Sequence, residues 1–72
     1  MAFIRLTLRE PAPYGESRTS PIWVNAADIV FIREGRTPEG ARYSRVVVID
    51  AGILNVDETP ETITRMIGRY DT

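Results

Sequence analysis

Tyr43-Ser-Arg-Val-Val-Val-Ile-Asp-Ala-Gly-Ile-Leu-Asn-Val56 is the stretch whose reading decides the fold. Val46 to Ile49 are four consecutive β-branched apolar residues. Successive side chains of a strand point to opposite faces. A strand with one wet face alternates, and this run does not, so both of its faces call for burial. The run is too short for a buried helix, and β-branching favours the pleated backbone. Asp50-Ala51-Gly52 then breaks the pattern, with Gly52 free to take positive φ, and Ile53 to Val56 return as a second strand. One residue more than the tightest hairpin turn allows a bulge there.

Working outward, Ile4, Leu6 and Leu8 alternate with Arg5 and Thr7, the period of a half-buried strand. Residues 9–20 hold Pro11, Pro13 and Gly15 and read as a long loop whose one aromatic is Tyr14. Ile22-Trp23-Val24 reads as a short strand opened by Pro21, and Asn25 suits the cap of a single helical turn. Ile29 to Ile32 form another apolar run, followed by a polar loop, Gly35 to Arg42, that leads into the central strand. The glycines of that loop match neither phosphate-binding spacing. Beyond Val56, Thr59 is a good N-cap, Pro60 suits the first helical position, and Glu61 complements the helix dipole. Ile63, Met66, Ile67 and Tyr70 then make one apolar stripe. The predicted fold is α+β: residues 1–72 form a single domain, a small bent antiparallel sheet of four or five strands with one C-terminal α-helix.

Composition narrows the chemistry. A chain of 72 residues buries only roughly 60% of its unfolded surface and is marginal alone. There is no Cys and no His, so neither a disulfide nor an ordinary transition-metal site is expected, and no cofactor is. Oligomerisation is the remaining supplement. No long apolar segment suggests membrane insertion, and the expected location is cytoplasmic. All nine basic residues are Arg, against ten acidic ones. Without His, Cys or Lys the usual catalytic bases and nucleophiles are missing, so the chain reads as not an enzyme. Asp50, Asp57 and Glu58 are carboxylates that could gather as an acid–base pair; their ordinary reading is two turn residues and a first-turn helix charge.

The order of elements, with Val-Asn-Ala-Ala-Asp-Ile at 24–29 and Val-Asp-Glu-Thr-Pro-Glu-Thr-Ile at 56–63, resembles the FlbD/SwrD family of small bacterial proteins associated with flagellar and swarming genes. Ile4 to Thr7 also match. The first loop and the second hairpin are longer here than is usual in the family. The resemblance implies a non-catalytic accessory protein acting through partners, and it carries no catalytic residues.

The expected function is therefore a self-associating protein-interaction module with an unidentified protein partner, in which assembly and folding are coupled. Trp23, Ile29, Phe31, Val47 and Ile49 are the candidate interface. Arg36, Arg42 and Arg45 are a candidate anion site, and with it a nucleic-acid-binding regulator is the alternative. Phe3, Trp23 and Phe31 sit among apolar residues and look like core, with subunit interface the other reading for Trp23, which weighs against that alternative.

Overall fold

A computed structural model describes residues 3–10 and 18–70. Five strands and one helix follow in the order β1 (Phe3–Glu10), β2 (Arg18–Asn25), a 3-10 turn (Ala26–Asp28), β3 (Ile29–Arg36), β4 (Arg42–Val48), β5 (Gly52–Val56) and α1 (Pro60–Tyr70). All pairings are antiparallel, and the strand order across the sheet is β2-β1-β5-β4-β3. This is the α+β fold expected from the sequence. No helix among the described residues is long and apolar enough to cross a membrane. Tyr14 and its neighbours at 11–17 lie outside the described residues, as does the side chain of Tyr70.

The connectivity forces the bend. β2 and β3 occupy opposite edges of the sheet, yet only the three-residue 3-10 turn joins them. Five flat strands would hold those edges ~19 Å apart, and three residues of 3-10 helix span about 6 Å. The sheet must curl until its edges approach. Asn25 starts the corner as expected, its Oδ1 accepting the Ala27 N–H at 3.1 Å.

The inner face of the curl holds the core. Ile4, Leu6, Val24, Val46, Val48, Val56 and Ile63 are each at most 7% exposed. Ile22, Ile29, Ile32, Leu54, Met66 and Ile67 pack around them. Thr59 caps α1 through Oγ1, which accepts the Thr62 N–H at 3.3 Å, and its carbonyl accepts the Ile63 N–H at 3.0 Å. The helix lays Ile63, Met66 and Ile67 onto the sheet, so a single chain closes its own core.

Two local features depart from the sequence reading. First, the β3–β4 register passes from Ile29 opposite Val48 to Phe31 opposite Val47, leaving Val30 as a bulge. Ile29 and Ile32, three residues apart, therefore both reach the core. Ile29 was expected at the interface and packs inward instead. Second, β1 and β2 run further than predicted, taking in Arg9, Glu10 and Arg18 to Ser20. Pro21 lies inside β2, opposite Thr7. Thr7 turns both its N–H and its C=O toward the β5 side, so its pairing with Pro21 is not hydrogen-bonded. The nitrogen of Pro21 accordingly faces the free edge, where no donor is needed.

The two halves of the sheet meet over a short seam. Leu8 pairs with Val56, and Asp57 N–H donates to the Thr7 carbonyl at 2.9 Å. Beyond that point Glu58 acts in place of a strand. Its Oε1 accepts the Thr7 N–H at 2.8 Å and its Oε2 accepts the Thr7 hydroxyl at 2.9 Å. The fully buried Ser44 donates its hydroxyl to the Glu58 carbonyl at 2.6 Å.

Glu58→Ala strands the Thr7 N–H and should cost about 2 kcal/mol. Glu58→Gln, which keeps an acceptor for that N–H, should cost less than half as much. Urea denaturation of the three proteins checks this; equal midpoints for the alanine variant and the parent would remove the clamp's role.

Candidate binding face on the outside of the sheet

Strand alternation sends the odd-numbered residues of β1, β2, β4 and β5 to the outer face, and the bulge does the same for Phe31, Arg33 and Gly35 of β3. Register then arranges these residues in rows. Arg5 lies opposite Trp23. Tyr43 lies opposite Gly35. Arg33, Arg45 and Asn55 stand side by side, and extending the Leu8–Val56 pairing by one residue sets Arg9 beside Asn55. The last row is apolar: Phe31, Val47 and Ile53.

The aromatics are not core. Trp23 is 60% exposed, and Phe3 and Phe31 are each 50% exposed. The physical reason is parity. Ile22 and Val24 on β2 point into the curl, so Trp23 between them must point out. Val47 shares the outer face and is half-buried, while Ile49 falls in the β4–β5 turn and is 54% exposed. Val30 and Ile53 are exposed beside them. A shallow hollow of about 100 Å3 lies here, lined by Phe31, Arg33, Arg45, Val47 and Ile53.

Three arginines lie over rings on this face. Arg5 is 5.8 Å from the Trp23 centroid, Arg9 is 5.9 Å from Tyr43, and Arg33 is 6.0 Å from Phe31. These are cation–π distances. Arg9 also bonds Asp57 at 2.9 Å. Asn55 Oδ1, in the row between Arg9 and Arg45, is shielded from solvent and accepts no hydrogen bond among the described residues. Tyr43 is held flat by a missing side chain: a Cβ at Gly35 would lie 2.4 Å from its ring.

The arginines singled out in the sequence do not come together. Arg36 and Arg42 pair on the helix side of the sheet, and Arg45 faces outward beside Arg33. Arg42 is occupied. Its Nε donates to Glu34, and its Nη2 reaches both oxygens of Glu61 at 2.8 and 2.9 Å. These bonds, Glu34 first and Glu61 second, raise the Arg42 pKa further. Glu61 is held below the usual carboxylate range by its own backbone N–H and then by Arg42. Its small stabilising effect is present at neutral pH and is lost as pH falls through that lowered value. The three carboxylates weighed as an acid–base pair are also apart: Asp57 binds Arg9, Glu58 binds Thr7, and Asp50 sits at the far end of β5 in a turn with φ 67°.

Sequence reasoning missed Arg5, Arg9, Arg33 and Tyr43. Their signal was parity with Arg45 and Trp23, which becomes readable once the register is known.

Gly35→Ala should lift the Tyr43 ring and cost about 1–3 kcal/mol as an overpacking substitution. One Gly35 Hα should resonate upfield under the ring and return to its ordinary position in Tyr43→Leu. An unshifted Hα in the parent protein would contradict the flat ring.

No protein-family model matches this chain, and comparison with curated proteins and with solved structures finds no significant match.

Proposed function

We propose that this chain is a non-catalytic cytoplasmic interaction module that self-associates through the apolar end of its outer face. The observation that carries the reading is the gathering of Val30, Phe31, Ile49 and Ile53, each at least half exposed, around Val47. The largest exposed apolar patch of a monomer is often functional. The resemblance to FlbD/SwrD proteins supports an accessory role exercised through partners.

Charge limits where two copies can touch. A two-fold contact places the same patch against itself. Across the rows that hold Arg5, Arg9, Arg33 and Arg45 it would oppose guanidinium groups, which disfavours it. The apolar row carries no charge and is the part that can self-pair. A patch of the usual monomer size, about 300–600 Å2, lies below the standard interface size of about 800 Å2 per partner, so the contact is weak and reversible. It adds to a core that the chain already possesses. The absence of His, Cys and Lys, together with carboxylates held by Arg9, Arg42 and Thr7, supports the non-catalytic part.

Light scattering after size exclusion tests the self-contact. The mass should rise above 8.1 kDa with concentration. Ile53→Glu should restore the monomer mass at every concentration without altering the circular dichroism spectrum. A parent protein that stays at the monomer mass throughout would overturn the proposal.

A further inference from the structure

We propose that the arginine–aromatic rows of the outer face bind single-stranded nucleic acid, with Trp23 as the stacking ring and Arg5, Arg33 and Arg45 on phosphates. The strip shares Phe31, and the Arg33 and Arg45 beside it, with the apolar end, while its stacking anchor Trp23 and Arg5 lie on β2 and β1 at the other side of the sheet.

Two observations carry it. The first is charge segregation. The whole chain has a formal net charge of −1. Among the described residues its outer rows nevertheless carry Arg5, Arg9, Arg33 and Arg45 against one carboxylate, Asp57 just past β5, which Arg9 already holds. Among the described residues the ion pairs involve only Arg9 and Arg42, so no carboxylate there holds Arg5, Arg33 or Arg45, the first two of which lie over the rings of Trp23 and Phe31. Guanidinium forks match phosphate oxygens in shape as well as charge.

The second is the placement of the rings. Trp23 is the most exposed aromatic among the described residues, on the edge strand β2, with Arg5 from β1 against it. Tyr43 with Arg9, and Phe31 with Arg33, repeat the arrangement toward the opposite edge. From Trp23 on β2 to Arg33 on β3 the strip runs round the outside of the curled sheet, across all five strands, which suits the short end of single-strand footprints, about 4–16 nucleotides. Every base has a π-face, so exposed rings interleaved with arginine hold a strand without reading its sequence. A duplex keeps its bases stacked and offers Trp23 nothing to stack on. An acidic peptide would answer the arginines but leave the rings unfilled.

The test uses Trp23 itself, the only Trp in the chain. Titrating the protein with a deoxythymidine oligomer of about ten nucleotides should quench its fluorescence saturably. The logarithm of affinity should fall with the logarithm of salt at a slope of about −2, as for three phosphate contacts on a single strand. With a labelled oligomer followed by anisotropy, Trp23→Ala should weaken binding about tenfold. Arg45→Ala should reduce the salt slope by about 0.7. Arg36→Ala, on the helix side of the sheet, should change neither. Because Trp23 and Arg45 are exposed, these variants should keep the parent's melting temperature. No saturable quenching up to about 100 μM oligomer, the weak end of non-specific contact, overturns the proposal. So does binding that Trp23→Ala leaves intact, or equal competition by a polyglutamate of matched charge, since either reports a polyanion contact without stacking.

Discussion

One carboxylate completes the joint between a two-stranded and a three-stranded fragment of the sheet. β2 and β1 form one sheet fragment, β5, β4 and β3 another, and between them the ladder is barely longer than a single residue pair. Glu58 completes it with a side chain, taking both the N–H and the hydroxyl of Thr7. Its own carbonyl is held by Ser44 at the base of β4. The same residue stands one position before the cap of α1, so the seam, the sheet floor and the helix start are fixed at one point. A short polar bond to a backbone N–H matters here because the N–H has no strand partner. Burial of Ile63 against Leu6, Val46 and Val56 follows from where this joint sets the helix.

Much of this architecture was legible in the sequence, and the parts that were not share a cause. The unbroken Val46–Ile49 run, the turn before Gly52, and the Thr59-Pro60-Glu61 helix start each carry their own local signal, and each element is present. Burial was harder. On β2 and β3 both neighbours of an aromatic are apolar, so composition does not say which face turns inward. Only partner register decides it: Val24 opposite Ile4 is inside, hence Trp23 opposite Arg5 is outside. The Val30 bulge adds a shift that no periodicity count contains, and it moves Ile29 from the expected interface into the core. The division of Arg42 from Arg45 was within reach, because residues three apart on a regular strand occupy opposite faces.

The outer face also shows why a net charge near zero is a poor guide to partners. Acidic side chains collect at the helix start and along the inner-side rim, where Glu34 and Glu61 hold Arg42. The outer rows keep their arginines. Summed over the chain the two populations cancel; separated by a sheet, each face presents its own field to solution. Arginine, with no lysine to share the task, suits both surroundings, since one planar fork can span Glu34 and Glu61 on one side and lie over a ring on the other.

An open sheet has two rims, and the chain treats both in the same way. The outermost strand β2 carries Pro21 with its ring nitrogen at the rim, and the outermost strand β3 carries the Val30 bulge. One lacks a donor and the other breaks the regular spacing of donors and acceptors. Neither rim offers a clean template on which another strand could zip. A chain with Val-Val-Val-Ile at its heart could otherwise recruit further copies edge to edge, toward cross-β stacking. With the rims spoiled, growth by strand addition is obstructed, and contacts with other molecules are directed to the broad surface of the sheet.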